Sequence, residues 1–365
     1  MSDEIWIDGA IGETRQALVR GGRVIALRLL RASEEGARAR WGEVYAARVL
    51  HVDRRRRGAF LDLGLKHDQG FLPLDPDGQG RLGRQRVALK EGQGVVVSIA
   101  REAARAKNPV VALTLDAHPG GASARLARHE SDEALDGASP ASAAVRARID
   151  EAMEEALSAQ APIPGGGALT IEPTAALVAI DVDAGARAGE GDPEKFALSL
   201  NIAAAGEAAR QVRLRSLGGL LALDFVSMRR AQSRALLEAA VKAAFAGDPW
   251  GVLLAPISRF GVIEAARAQL QAPLHERLCD GDGRLSAETI ALQALRAIER
   301  EARAQPSRRI AAQVTPEIMA WLEAAPIAWR AALANRIGPR FAVEAVPAPA
   351  GARAAMRERI DVRAL

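Results

Sequence analysis

Ala176-Leu-Val-Ala-Ile180 runs straight into Asp181, and Leu220-Leu-Ala-Leu223 runs straight into Asp224. Both apolar runs are short and bounded by polar or glycine-rich sequence, the pattern of buried strands. One helix fits between them. Asp192 is placed to cap its start, Pro193 occupies a first-turn position that tolerates proline, and Gly218-Gly219 ends it. Strand, crossover helix, strand predicts two parallel neighbours in one sheet, with their carboxyl ends on the same edge. Two carboxylates then meet at one rim, where they form a site, cap the following turns or pair with arginines.

The chain has 365 residues, 49% of them hydrophobic, enough for two or three domains with real cores. No run of eighteen apolar residues occurs, and Met1-Ser-Asp-Glu4 lacks the basic and apolar regions of a signal peptide. A cytoplasmic protein without a membrane partner is expected. Cys279 is the only cysteine, which excludes an intrachain disulfide and an all-cysteine metal site within one chain. The net charge is +4, and the basic residues are nearly all arginine, with five lysines. Arg54-Arg-Arg-Arg57 is the densest run, and Arg210, Arg213, Arg215, Arg229 and Arg230 bracket Asp224. Such clusters suit either a phosphate-bearing partner or a solvated face.

Residues 3 to 30 read as a hairpin turning at Gly21-Gly22. Gly42–Val52, Gly58–Leu63, Gly70–Leu74, Val95–Ala100 and Val110–Leu115 predict a small antiparallel barrel. Residues 117 to 145 have the composition of a linker, and a helix is expected from about Ala144 to Gln160. After Asp224, a helix over Gln232–Phe245, a strand over Trp250–Leu254 and a helix over Val262–Gln271 are expected to complete an alternating β/α block. From about Ser286 a separate, small α/β unit follows.

Several stretches carry a resemblance to the ribonuclease E/G family. They are Ile171-Glu-Pro-Thr-Ala-Ala-Leu-Val-Ala-Ile-Asp-Val-Asp-Ala-Gly185, Asn201, Ala208-Ala-Arg-Gln-Val-Arg-Leu-Arg-Ser-Leu-Gly-Gly219, Asp224-Phe225 and Ile257-Ser-Arg-Phe-Gly261. Gly12-Glu-Thr-Arg15 is similar to the family's opening segment. Trp41-Gly-Glu-Val-Tyr45, Ala59-Phe-Leu-Asp62 and Gly70-Phe-Leu-Pro73 are similar to its OB-fold domain.

The resemblance implies an α/β multidomain protein: an OB-fold β-barrel, a DNase-I-like α/β catalytic domain and a small C-terminal α/β domain. The division it implies is an RNase-H-like β remnant over 1–40, the OB-fold over 41–117 and a shortened linker and helix over 118–164. The catalytic domain then covers 165–275, a degenerate zinc-link loop 276–285 and the last domain 286–365. The implied activity is Mg²⁺-dependent hydrolysis of phosphodiester bonds in single-stranded RNA. Asp181 and Asp224 are its implied metal ligands, and Asp183 joins them as a catalytic residue where the family usually has asparagine. Phe60, Phe71 and Lys107 are implied RNA contacts. Arg259, expected at the same sheet edge as the aspartates, contacts phosphate or pairs with an acid.

Two features of the family are missing. About thirty residues stand where a sensor for the RNA 5′ end is usual, and Glu276-Arg-Leu-Cys279 keeps one of the two zinc-link cysteines. Two chains would supply two thiolates where a closed zinc site needs four ligands, so no zinc is expected and any homodimer is held by other contacts. The competing reading is a non-catalytic RNA-binding or ribosome-accessory protein on the same scaffold, and a weaker one is a DNA phosphodiesterase.

Overall fold

The computed structural model describes residues 3–104, 107–114, 123–129, 138–185, 192–347 and 360–365. Residues 3 to 30, expected as a hairpin, form an antiparallel meander of β1 (Glu4–Ala10), β2 (Glu13–Arg20) and β3 (Arg23–Arg31). The extra strand follows from a second tight turn at Ile11-Gly12, which splits what reads as one irregular segment. One side of the meander buries Ala17, Val19, Leu27 and Leu29 against Ile149 and Met153 of α1 (Ala143–Leu157).

The barrel is built from β4 (Val44–Asp53), β5 (Gly58–Asp62), β6 (Gln69–Pro73), β9 (Gly94–Arg101) and β10 (Val110–Leu113). The hairpin β7 (Gly80–Leu82) and β8 (Gln85–Val87) interrupts it. Pairing runs β4-β5-β6-β10-β9, and β9 pairs back with β4 to close the ring, consistent with an OB-fold. Inward-pointing Tyr45, Val49, Leu61, Leu72, Val97 and Val111 fill it. β11 (Ala124–Ala127) adds to the outer edge of β4. The stretch 118–164, expected as a shortened linker and helix, contains α1 and in addition β11 and the strand Gln160–Pro162, and part of the remainder lies outside the described residues.

The sheet carrying the aspartates comprises β12 (Gln160–Pro162), β13 (Ala168–Pro173), β14 (Val178–Asp183), β15 (Gly219–Asp224), β16 (Val252–Leu254) and β17 (Val262–Arg267). Its order is β12-β13-β14-β15-β17-β16, and only the β14–β15 pair is parallel. Between that pair runs α2 (Pro193–Leu214), with the Asp192 carboxylate accepting from the Glu194 and Lys195 amides as its cap. α3 (Ala231–Phe245) packs beside α2 on the same face of the sheet. Ile180, Val182, Leu221, Leu223 and Ile263 meet Ala204, Ala208, Val212, Leu237 and Val241 there. The opposite face is open, with Leu220 59% and Leu253 78% exposed.

The helix expected over Val262–Gln271 is instead β17, antiparallel to both neighbours. Alanine, glutamate and arginine favour helix, but a segment that completes two ladders and buries Ile263 and Ala265 follows its tertiary partners. The alternating β/α block is therefore a mostly antiparallel sheet with one parallel crossover at its centre.

Beyond it lie α4 (Leu274–Leu278), α5 (Ala287–Ala304), β18 (Ile310–Val314), α6 (Pro316–Ala324), α7 (Trp329–Ile337), β19 (Phe341–Ala345) and β20 (Asp361–Ala364). The sheet β19-β18-β20 and these helices bury Leu292, Leu295, Ile298, Ile310 and Leu333. At residues 279–285, Cys279 bridges Leu285, and the Asp280 carboxylate accepts from the Asp282 and Arg284 amides. The loop is closed by its own backbone and one turn-forming carboxylate.

Buried charge joins these parts. Glu102, at the end of the barrel, accepts from the Trp41 amide at 3.1 Å and the Ala272 amide at 2.9 Å. Its own amide donates to the Leu270 carbonyl. The barrel is thereby tied to the segment leaving β17. Burial pushes the Glu102 carboxyl up.

Candidate active site

Asp181 and Asp224 are direct register partners across the parallel β14–β15 pair. Adjacent strands lie about 4.8 Å apart, so the two carboxylates leave the backbone side by side. Both residues are exposed, and both lie on the open face, because alternation sends Ile180, Val182 and Leu223 into the core. Small residues, Ala179 and Ala222, occupy the next register row of that face. Neither Asp181 nor Asp224 takes part in a hydrogen bond or ion pair among the described residues. Three of the five arginines that bracket Asp224 in sequence are used elsewhere. Arg213 binds Asp248 at 3.1 Å, Arg215 donates to the Ser158 carbonyl at 2.6 Å, and Arg210 pairs with Glu207 and Glu155. Two neighbouring carboxylates without a counter-cation create a local negative potential, and no ion pair among the described residues offsets it.

Such a donor set suits a hard divalent cation that retains several waters, as Mg²⁺ does with one or two carboxylates. No cluster of three or more His, Cys, Asp or Glu side chains that could hold a metal occurs among the described residues, so a closed zinc-type cage is not what this face offers. Asp183 is on the same face two residues along, opposite Ala168 of β13. One of its oxygens accepts from the Gly185 amide at 2.9 Å, closing the turn that leaves β14.

Asn201 is a residue whose role the sequence did not reveal. It is fully buried in α2, and its side-chain amide donates to the Val226 carbonyl at 2.8 Å while its oxygen accepts from the Val226 amide at 3.0 Å. That two-way clamp fixes the chain two residues past Asp224. A polar side chain on the apolar face of a predicted helix was the available signal. Asn201→Leu removes the partner of two peptide groups and is expected to destabilise the fold by about 2–4 kcal/mol. Asn201→Asp keeps the acceptor only, and is expected to fall between Leu and wild type in urea titrations.

Arg259 is near the aspartates, as expected, though by a different route. It sits in the β16–β17 hairpin, and the antiparallel pairing of Asp224 with Val262 brings that hairpin's tip to the carboxyl end of β15. Its guanidinium lies 4.7 Å from the Phe260 ring centroid, and no acidic partner for it occurs among the described residues.

On the barrel, Phe60 and Phe71 are register partners on the outer face, with ring centroids 5.5 Å apart in an edge-to-face arrangement. Gly58 makes this possible: a Cβ there would lie 2.2 Å from the Phe71 ring. Lys107 is exposed, and two residues later the Pro109 carbonyl accepts from the Phe71 amide. His51 pairs with Phe60 on the other side. Arg54 to Arg57 form the exposed tip of the β4–β5 hairpin next to this face. Phe60 and Phe71 therefore share one surface, Lys107 lies on the segment that leads into the strand beside Phe71, and a row of cations forms the adjoining hairpin tip.

Comparison with known proteins bears on the same region. Residues 124–270 match the model of the ribonuclease E/G family. Ribonuclease E of Haemophilus influenzae is 34% identical over 182 residues, covering 48% of this chain and 20% of that protein. Ribonuclease E of Escherichia coli K12 is also 34% identical over 182 residues, 48% of this chain and 17% of that protein. Ribonuclease G of Haemophilus influenzae is 27% identical over 181 residues, 37% of its length. The matched region spans about a fifth of the length of the ribonuclease E relatives. The match includes β13 to β17 and therefore the paired aspartates, their crossover helix and the Arg259 hairpin: over residues 124–270 the chain is similar to the ribonuclease E/G family.

Proposed function

We propose that this protein is an endoribonuclease that hydrolyses phosphodiester bonds in single-stranded RNA with Mg²⁺ as cofactor. The observation that carries the reading is the Asp181–Asp224 pair, without an ion-pair partner among the described residues and held in register by a parallel ladder within the region that matches the ribonuclease E/G family. In this reading β12 to β17 with α2 and α3 are the DNase-I-like catalytic unit, and the closed barrel is the RNA-binding unit. The division into units at 41, 118, 165, 276 and 286 belongs to the same proposal, as do a cytoplasmic location and any homodimer formed without zinc. No helix among the described residues is long and apolar enough to cross a membrane.

Asp181 and Asp224 would hold the metal. When bound, Mg²⁺ supplies charge stabilisation at the scissile phosphate and eases deprotonation of a coordinated water. The chain's own contribution is positional. The β14–β15 ladder fixes the spacing of the carboxylates, the Asn201 clamp fixes the end of β15, and the open sheet face admits an extended polymer. Asp183 supports the turn behind Asp181, and its second oxygen serves the same face. Arg259 supplies positive charge for a phosphate, and Phe60, Phe71 and Lys107 hold the strand by stacking and charge.

The test is cleavage of a labelled, unstructured RNA and of a stable hairpin, each with Mg²⁺ and with EDTA, carrying 5′-hydroxyl, monophosphate or triphosphate ends. Cleavage confined to the unstructured RNA with Mg²⁺ is expected, at equal rates on all three ends. Binding without cleavage under every condition would move the protein to the non-catalytic RNA-binding role.

A further inference from the structure

Phe260 is 75% exposed, and nothing in the fold needs it. It is one of seven phenylalanines in the chain, and Phe225 and Phe245 are buried in the adjacent core. It stands at the corner of a tight turn, Ser258-Arg259-Phe260-Gly261, in which the Gly261 amide donates to the Ser258 carbonyl at 3.1 Å. The Ser258 hydroxyl accepts from the Phe260 amide at 3.3 Å and the Val262 amide at 3.2 Å. The Ser258 amide donates to the Val262 carbonyl at 2.9 Å. Gly261 has φ +91°, a conformation other residues rarely adopt. One residue before the turn, the Ile257 amide is held by Glu238 of α3 at 2.8 Å, and its side chain packs on the core. An exposed aromatic is thus mounted on a hairpin tip fixed from several sides.

The position of that tip gives the ring a use. Asp224 pairs with Val262, and the Cβ position of Gly261 lies 3.7 Å from the Phe225 carbonyl. Phe260 therefore stands two residues from the register partner of a proposed metal ligand. The Arg259 guanidinium covers its ring at 4.7 Å. An aromatic plane backed by a cation is chemistry that takes a nucleobase on the ring and a phosphate on the guanidinium.

The geometry points to Phe260 and Arg259 as a base-binding subsite that seats one nucleotide of single-stranded RNA beside the scissile phosphate, apart from the Phe60–Phe71 surface on the barrel. This rests on the ribonuclease reading for its substrate, but binding and cleavage are separable. The subsite is sequence-tolerant, since every base has a stackable face, and it sets which bond lies over the aspartates. Phe260 is a positioning residue in this account.

The experiment uses the full chain in EDTA, where no cleavage intervenes. Short single-stranded RNAs carrying 4-thiouridine at successive positions are titrated and photo-cross-linked to wild type, Phe260→Ala, Phe260→Trp and Phe60→Ala, with melting temperature measured for each. In wild type, one RNA position is expected to cross-link to the peptide carrying Phe260. Phe260→Ala is expected to lose that cross-link and bind roughly 10-fold more weakly, with an unchanged melting temperature. Phe260→Trp should restore both, and Phe60→Ala should weaken binding while keeping the Phe260 cross-link. Equal affinity and an unaltered cross-link pattern in Phe260→Ala would overturn the subsite and leave the ribonuclease reading standing. Failure of wild type to bind any of these RNAs would overturn both.

Discussion

Asp181→Asn and Asp224→Asn are each expected to lower the rate of RNA cleavage by about 10³-fold or more, equivalent to about 4 kcal/mol of transition-state stabilisation. Neither change should unfold the protein. Each amide has the shape of the carboxylate it replaces, both positions are exposed, and neither side chain has a partner to lose among the described residues. Removing one of two like charges on adjacent strands relieves repulsion of about 1 kcal/mol or less in water, so thermal stability in EDTA should stay level or rise slightly. The second readout is metal binding itself. Added Mg²⁺ should raise the wild-type melting temperature in proportion to its occupancy, and both variants should lose most of that response. Wild-type cleavage in either variant would remove its aspartate from the metal site. Loss of cleavage with an intact Mg²⁺ response would place the cation elsewhere.

The central part of this site was legible because local signals agreed. Asp192-Pro193 opens α2, Gly218-Gly219 closes it, and a crossover between two short apolar runs leaves parallel pairing as the simple outcome. Strands whose identity depends on neighbours were not legible. β13 contains Glu172 and ends at Pro173, and four of the six residues of β17, Glu264 to Arg267, are good helix formers. Each is a strand because a ladder is available on both sides. That correction changed how Arg259 reaches the aspartates, from the end of a parallel strand to the tip of an antiparallel hairpin. The Phe60–Phe71 register depends on how the loop between β5 and β6 closes, which residue spacing alone does not fix. The short motif Gly12-Glu-Thr-Arg15 resembles the family's opening segment, but nothing in its spacing indicates what its charged residues do. In the fold, Glu13 and Arg15 are both buried ion-pair partners in the scaffold, and each binds one group far along the chain, Arg296 and Asp150 respectively.

Glu13 is the residue in that scaffold whose loss should cost the most. It is 2% exposed and accepts from Arg31 at 2.7 Å and from Arg296 at 2.7 Å, joining β2 to β3 and to α5. Burial alone would push its carboxyl up, but Arg296 and Arg31 outweigh that and hold it at about 2, against an ordinary 4.5. Glu13→Gln leaves two buried guanidiniums facing a neutral amide, and breaking a buried pair in this way costs about 3–5 kcal/mol. Replacing Glu13, Arg31 and Arg296 together by apolar residues of similar volume should recover much of that loss, since the desolvation of all three charges is then avoided. The pH dependence has a defined sign. A carboxyl with a depressed folded pKa contributes stability above its unfolded pKa, and that contribution fades as pH falls from about 5 towards 2. Asp8 acts in the same direction: burial raises its carboxyl, and Arg15 and Arg146 more than offset this to hold it at about 2. Urea titrations at pH 7, 5, 4 and 3 should therefore show wild-type stability dropping steeply below pH 5. Glu13→Gln should begin lower and fall less steeply, by about one proton's worth of slope. Parallel pH profiles for the two proteins would mean that Glu13 carries no proton-linked stability, and that the contacts between β2 and α5 are held by packing alone.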